Sequence, residues 1–338
     1  MIGITMGCPA GIGPEIILRY FSAKTAGAQN IPVVLGDLGI LEKCSRDLVL
    51  NVPCVSWKPG TPLPSDALPV ITLSALNPEA LHWGHPTRDT ALAMVSYIHE
   101  AVHLIEQGVL DGMATCPISK SAMQAAGHLY PGHTEMLAEL TGTRDYAMMM
   151  AGNRLRVTLV TIHCPFRQVA DILSRQSIAK LIRITHKALV RDFAIHTPRI
   201  AVAALNPHAG ENGLFGDEEA LIIGPAISEA RDHGIIVDGP FPPDTVFFKA
   251  AAGNYDAVVC MYHDQGLIPF KLLHFSDGVN VTLGLPIVRT SVDHGTAYDI
   301  AGRGVADSAS LVAAVELAGK ICYNRQMDSN CRHNEIDL

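Results

Sequence analysis

Polar side chains able to hold metals and anions follow apolar runs in the last third of the chain. The run Ala257–Met261 leads directly into His263 and Asp264, Asn280 lies in Val279–Leu283, and Arg289 follows a third short run. Open α/β sheets bind ligands at the carboxyl ends of their strands, so these groups are predicted to form a site. A structural cluster of ion-paired turns remains the alternative, because buried polar groups need partners in any fold.

Histidines follow apolar runs at three places in the chain. His163 comes after Leu155–Ile162, His208 comes after Arg199–Leu205, and His263 comes after Ala257–Met261. Each alone is more often a structural residue, but at one sheet edge the three imidazoles would converge. Three neutral imidazoles with an open position form a divalent-metal site of the catalytic kind. We therefore predict His163, His208 and His263 as metal ligands.

Another histidine pair is rejected as a metal site. His99-Glu100-Ala101-Val102-His103 is a formal match to the zinc motif H-E-x-x-H. On a helix over Thr90–Gln107, however, both imidazoles lie off the apolar face, so we expect a solvated surface.

Two turns could bind an anion. Gly7–Glu15 is a glycine-rich strand-to-helix turn, whose free N–H groups suit an anion, although a tight structural turn is an equal interpretation. It lacks the third glycine of G-x-G-x-x-G and the lysine of a P-loop. Gly132-His133-Thr134 opens a helix, where the Thr134 hydroxyl could hold an anionic oxygen or merely cap the helix.

Composition limits the class of protein. A chain of 338 residues predicts two domains, and 48% hydrophobic with 17% charged residues fits a well-buried globular enzyme. The net charge of −8 with no basic run argues against nucleic acid and an anionic membrane as partners. No apolar stretch reaches the roughly 20 residues that span a bilayer. Eight cysteines without a Cys-x-x-Cys pair, and no signal peptide, favour a cytoplasmic location.

Strands and helices alternate along the chain, which predicts an α/β architecture with a largely parallel core. Gly152-Asn153 joins two apolar runs and predicts a hairpin. A strand is expected over Ile31–Leu35 and a final helix over Ser308–Cys322, with a loosely ordered tail from Asn324.

With these motifs in order, the sequence resembles the 4-hydroxythreonine-4-phosphate dehydrogenase family of vitamin B6 biosynthesis over nearly its whole length. Five segments carry the resemblance: Pro9–Glu15, Gly132–Glu135, Leu205–Glu211, Met261–Gly266 and Gly278–Gly304. One departure is Cys8, where family members commonly have Glu.

The resemblance implies a homodimer of two-domain α/β/α subunits, similar to isocitrate and isopropylmalate dehydrogenases and not to a Rossmann domain. The expected domains are 1–145 with 285–338, and 146–284. The resemblance also implies active sites shared between subunits, a divalent metal (Zn, Mg, Co, Mn or Ni) on the three histidines, and NAD or NADP in the interdomain cleft.

Site residues follow from the same resemblance. Substrate-binding positions are His133, Thr134, Lys271, Asn280 and Arg289. Candidates for the catalytic base are Asp244, Asp264 and Lys271. Cofactor-binding positions are Leu283, Gly284, Leu285, Asp293, His294, Gly295, Thr296 and Ala297.

The implied reaction is NAD- and metal-dependent oxidation of 4-phosphohydroxy-L-threonine with decarboxylation. Lys271 and Arg289 supply charge for a phosphate on a small hydroxy acid. Alternatives within the family are dehydrogenation of 4-phospho-D-threonate, 4-phospho-D-erythronate or an aromatic cis-dihydrodiol. Alternatives of other classes are a non-redox acyl- or phosphotransferase and a non-catalytic metal- or ligand-binding relative.

Overall fold

The computed structural model describes residues 1–23 and 32–334. Among these residues the strands are β1 (Ile2–Thr5), β2 (Val33–Gly36), β3 (Cys54–Ser56), β4 (Leu68–Thr72), β5 (Gly112–Thr115), β6 (Ala147–Ala151), β7 (Arg156–Leu159), β8 (Ile200–Ala203), β9 (Val237–Phe241), β10 (Ala257–Cys260), β11 (Val279–Leu283) and β12 (Val288–Val292). The α-helices are α1 (Gly13–Ala23), α2 (Leu38–Asp47), α3 (Arg88–Glu106), α4 (Lys120–Ala125), α5 (His133–Leu140), α6 (Val169–Ile172), α7 (Arg175–Arg191), α8 (Gly224–Asp232), α9 (Pro243–Ala251), α10 (His263–Leu273) and α11 (Ala309–Asn334).

The chain divides into two compact units. Unit 1 contains the described residues of Met1–Arg144 with Leu285–Cys322, and unit 2 contains Asp145–Gly284 with the described residues from Tyr323 on. The expected limits of the two domains, 1–145 with 285–338 and 146–284, stay a prediction.

Unit 1 is built on parallel strands in the order β3-β4-β2-β1-β5-β12. Its inner strands, such as Val33–Gly36 and Gly112–Thr115, are buried along their whole length, as the apolar runs of parallel strands require. Helix α3 begins with a capping box between Thr87 and Thr90 and buries one apolar face. His99 and His103 lie on its exposed side, as expected.

Unit 2 has the strand order β11-β6-β7-β10-β8-β9. The predicted hairpin is confirmed, because β6 and β7 pair antiparallel. Strands β7, β10 and β8 are parallel neighbours, so their carboxyl ends share one edge. The core beneath them combines strand side chains such as Val157 and Val258 with Val246 of α9 and Phe270 of α10.

Arg289 differs from its expected place after a strand, whereas His263 follows β10 as expected and begins a helix. Arg289 lies inside β12, because the strand continues through Arg289 to Val292. His263 is the first residue of α10, and Lys271 lies in the last turn of that helix. The sequence misled because a buried Arg breaks an apolar run although its side chain can be accommodated by hydrogen bonds.

The tail is the clearest error of the sequence analysis. Helix α11 continues to Asn334 where loose order was expected from Asn324. Arg325 donates to the buried Asp192 carboxylate at 2.8 Å, and the Asn324 side chain donates to the Asp192 carbonyl. These contacts are long-range, so no local pattern reports them. Ile31 of the expected second strand and residues 335–338 lie outside the described residues.

We predict that Gly284→Ala destabilises unit 2 through a backbone clash. Gly284 has φ +88°, and an added Cβ would lie 2.2 Å from the Asp145 carbonyl oxygen. Gly234 has φ +77° but open space around its Cβ position. Gly234→Ala should cost about 1 kcal/mol for the left-handed backbone alone, and Gly284→Ala about 1–3 kcal/mol more because backbone must move. Urea unfolding of both variants measures the difference, and equal losses would refute the clash.

Candidate functional site

Arg289 places a guanidinium inside unit 1. Arg289 is only 3% exposed. Its Nε and Nη2 donate to Thr115 Oγ1 at 3.2 and 2.9 Å. The contact follows from the fold, because β12 and β5 are adjacent parallel strands. Burial lowers the pKa of Arg289 to about 9, while the charge of Glu135 acts in the opposite direction. The side chain is therefore a cation at neutral pH in a poorly hydrated setting, where its attraction for an anion would be strong.

His133 lies close to this cation. It is the first residue of α5, and its buried Nε2 has no hydrogen-bond partner among the described residues. Burial lowers the pKa of His133 well below its usual value, and the charges of Arg289 and Lys120 lower it further. The imidazole is thus neutral at pH 7, with a ring nitrogen left to serve a bound molecule.

The start of α5 supports the anion interpretation of Gly132-His133-Thr134. Gly132 is the N-cap, and no side chain caps the helix, so Thr134 is not the cap residue that the alternative supposed. The helix N-terminus favours negative charge.

Lys120 is a site residue that the sequence analysis missed. It begins α4, just after β5, and its charge acts on His133. A Cβ on Gly132 would lie 3.5 Å from Lys120 Cε, so the lysine side chain reaches the start of α5. A lysine shortly after a buried strand was the available signal.

The predicted cofactor loop after β12 contacts the glycine-rich turn within unit 1. Ile12 N donates to the Thr296 carbonyl at 3.2 Å, and Tyr298 Oη donates to Cys8 Sγ at 3.2 Å. His294 Nε2 is buried and has no hydrogen-bond partner in the described part of the chain. Two motifs far apart in sequence therefore form one surface.

The other cofactor positions surround this loop or precede it. Asp293 N donates to Ser310 Oγ at 3.1 Å, and Ala297 has φ 43°. Leu283 ends β11 in unit 2, Gly284 follows it, and Leu285 is the first residue of the second segment of unit 1.

Two of the three predicted metal ligands are brought together in unit 2. The rings of His163 and His263 have centroids 5.9 Å apart. His263 Nδ1 lies 2.7 Å from Asp264 Oδ1, an arrangement that orients an imidazole and leaves Nε2 for a ligand.

His208 lies in strained backbone on the same sheet edge. Residues His208–Asn212 all have positive φ, including 52° at His208 and 44° at Glu211, and such strain is concentrated at functional sites. Glu219, which the sequence analysis missed, is buried, and its Oε1 accepts from the backbone N–H groups of Leu205 and Asn206 at 2.8 Å each.

The described residues of one chain do not form a complete metal site. Residues 1–23 and 32–334 contain no group of three or more His, Cys, Asp or Glu placed to hold a metal ion. The neutral donors and the Asp264 partner fit a metal by their chemistry, but His208 does not join His163 and His263 in the described residues.

The remaining predicted residues also lie in unit 2. Asp244 is exposed in the first turn of α9. Asn280 projects from β11 with a buried Oδ1 that has no hydrogen-bond partner among described residues. Lys271 is half-buried in α10. The described helices include none long and apolar enough to cross a membrane.

The chain is similar to known proteins over nearly its whole length. The chain is 54% identical over 323 residues to the 4-hydroxythreonine-4-phosphate dehydrogenase of Desulfosudis oleivorans, covering 94% of this chain and 95% of the relative. It is 46% identical to the D-threonate 4-phosphate dehydrogenase of Salmonella typhimurium, covering 94% and 97%. The crystal structure of the Klebsiella pneumoniae 4-hydroxythreonine-4-phosphate dehydrogenase matches with TM-score 0.86 at 44% identity, covering 95% and 98%.

The fold, the buried polar groups and these likenesses define an α/β dehydrogenase, which confirms the expected fold class. A family model, "Pyridoxal phosphate biosynthetic protein PdxA", matches residues 28–318. The chain belongs to this family.

We predict that His133 makes stability fall in mild acid. Its folded pKa lies below the unfolded value of about 6.5, so below that pH only the unfolded chain gains this proton. The unfolding free energy of the parent should therefore fall relative to that of His133→Asn, by up to about 1.4 kcal/mol per pH unit. Urea unfolding of both proteins at pH 7.5 and 5.5 tests this, since contributions of other histidines cancel in the difference. A pH-independent difference would contradict it.

Proposed function

We propose that the protein oxidises 4-phosphohydroxy-L-threonine, with decarboxylation, to 3-amino-2-oxopropyl phosphate, using NAD and a divalent metal. Membership of the family and the relative named 4-hydroxythreonine-4-phosphate dehydrogenase at 54% identity support this assignment. The observation that carries the substrate class is the buried Arg289 guanidinium, whose charge acts on half-buried His133 together with the charge of exposed Lys120. The enzyme is proposed to act in the cytoplasm, in pyridoxal phosphate biosynthesis.

These side chains suit a phosphate group. Arg289 is fixed by Thr115 and shielded from water, so it loses little conformational freedom on binding an anion. His133 Nε2 and the uncapped start of α5 offer further hydrogen bonds. Lys271 and Asn280 stay in the proposal as substrate-binding residues, with the buried Asn280 Oδ1 suited to a hydroxyl or ammonium donor.

The chain's own residues divide the remaining roles. A divalent metal, when bound, would stabilise negative charge on the reacting oxygen and the electrons left by CO₂. His163 and His263 are proposed to hold it, with Asp264 orienting His263. Because Asp264 is engaged with this imidazole, Asp244 and Lys271 are the better candidates for the base that takes the hydroxyl proton. Asp293–Ala297 are proposed to hold the nicotinamide cofactor, which would supply the acceptor for the hydride.

A second copy of the chain is proposed to complete the metal site with His208 or another ligand. The support is an exposed apolar face on α10 and the residues just after it. Ile268, Leu272 and Phe275 are 68%, 84% and 82% exposed and recur at helical spacing. Phe248 of α9 is 80% exposed. Exposed apolar groups at this density mark an association surface, and α10 begins with His263 itself.

The alternative substrate is 4-phospho-D-threonate, which the Salmonella relative at 46% identity favours. 4-Phospho-D-erythronate carries the same phosphate group, which would bind Arg289 in the same way. An aromatic cis-dihydrodiol has no phosphate for the buried guanidinium to bind. Non-redox acyl or phosphoryl transfer could use Arg289 to bind an anion, but it would form no NADH.

We predict NADH formation with a 4-phosphorylated substrate and a poor reaction with its non-phosphorylated analogue. Arg289→Met should raise KM for the phosphorylated substrate roughly tenfold to a hundredfold, the worth of a charged hydrogen bond of about 1.5–3 kcal/mol. The analogue should be affected less by the substitution. Absorbance of NADH over a panel of 4-phosphohydroxy-L-threonine, 4-phospho-D-threonate, 4-phospho-D-erythronate and an aromatic cis-dihydrodiol measures both effects.

Arg46→Met is the matched control, because it removes the same charge from an exposed position of unit 1. Its KM should equal that of the parent. Preference for the dihydrodiol, or an equal loss with the analogue, would overturn the phosphate proposal, and absence of NADH with every compound would favour the non-redox class.

We also predict that mixed inactive variants regain activity through hybrid dimers. His163→Ala, His208→Ala and His263→Ala should each lose metal and activity while staying folded. If two ligands come from one subunit and the third from its partner, two of the three pairwise mixtures will recover activity and one will not. Metal content and NADH formation after verified subunit exchange decide this, and no recovery in any mixture would exclude a shared site.

A further inference from the structure

A cavity of about 580 Å³ lies beside α7 in unit 2. Four cationic side chains of that helix line it: Lys180, Arg183, Lys187 and Arg191. His186 also lines the cavity, and Asp145 is the one carboxylate among the lining residues. A volume of this size accommodates a metabolite or mononucleotide. Of the lining residues only Gly284 is a predicted cofactor-binding position.

The carboxylates near the cavity balance only part of this charge. Lys180 pairs with Asp145 at 2.6 Å. Glu229 is shared by two arginines, Arg183 at 3.2 Å and Arg175 at 2.9 Å. One carboxylate therefore serves two guanidinium groups, and the Lys180–Asp145 pair is well exposed, so water and salt weaken it.

Carboxylates are also fewer than cations toward the end of α7. Asp192 is shared by Arg191 and Arg325, each with a nitrogen 2.8 Å from its Oδ1. Lys187 is exposed, and no described carboxylate lies within ion-pair distance of it. Its charge acts at longer range on Asp145 and helps to lower the pKa of that carboxyl after the larger effect of Lys180. The cavity thus holds more positive charge than its surroundings neutralise.

His186 also lines the cavity. Its Nδ1 is buried and has no hydrogen-bond partner among the described residues. Buried polar atoms without partners are rare, and a bound group reached by a turn of the ring is one explanation for this atom. Burial lowers the pKa of His186, so the neutral ring can donate one N–H to an anionic oxygen.

We propose that this cavity binds a phosphate-bearing small molecule, with Arg183 and Lys187 as its main charged contacts. A guanidinium donates to two phosphate oxygens at once, and a lysine ammonium supplies a mobile point charge. The His186 ring completes the set. The occupant is a small molecule rather than a polyanion such as nucleic acid, because the chain carries a net charge of −8 and the cations are confined to one cavity.

Calorimetric titration of the full-length protein with inorganic pyrophosphate tests the site. Lys187→Gln and Arg183→Gln should each weaken this binding about tenfold or more, the usual effect of losing one charged hydrogen bond. Arg175→Gln is the control, because it removes the same charge from the same helix but does not line the cavity. Its dissociation constant should stay within about twofold of the parent value, as expected for a screened surface charge.

Two further titrations distinguish this cavity from the proposed active site. Saturating NAD should leave the pyrophosphate affinity unchanged, and so should Arg289→Met. Displacement by NAD would assign the cavity to the dinucleotide and overturn a separate site. No binding to the parent at millimolar pyrophosphate, or equal weakening by all three α7 variants, would also overturn the proposal.

Discussion

The energetic constraint on unit 1 is a guanidinium buried in a parallel sheet. Removing a charged group from water costs several kcal/mol unless hydrogen bonds and opposite charge replace the lost hydration. Thr115 supplies one acceptor to Arg289, and Glu135 supplies attraction that falls short of restoring its usual pKa. Burial therefore has the larger effect on this cation. A bound anion would supply the kind of interaction that water gives to an exposed guanidinium, so part of the cost in stability would become affinity for that anion.

His133 extends the same logic to a neutral group. It neighbours two cations and is buried, and both facts oppose its protonation. A charged imidazole there would repel Arg289, whereas a neutral ring can share a ligand with it. The two side chains are thus suited to different contributions, Arg289 to charge and His133 to a directional hydrogen bond.

Much of the fold was readable from the sequence because it rests on local patterns. Alternating apolar runs and helical spacing gave the α/β class, and Gly152-Asn153 gave the β6–β7 hairpin. Residues placed by distant contacts were not readable. Glu219 lies in a polar run, and only the fold shows that it holds the backbone before His208. Lys120 likewise comes close to the start of α5 only through the fold of unit 1, where α4 and α5 both contact α3.

Asp192, Arg191 and Arg325 form a cluster in which positions far apart in the sequence constrain each other's evolution. Its carboxylate is 1% exposed, and its pKa stays low although burial alone would raise it, because Arg325 and Arg191 donate to it. Losing Arg325 alone would leave a buried anion short of a partner, a change that typically costs about 3–5 kcal/mol, whereas replacing both partners by apolar residues can be neutral. Across related lineages, positions 192 and 325 should therefore covary, each constraining which substitutions the other can tolerate.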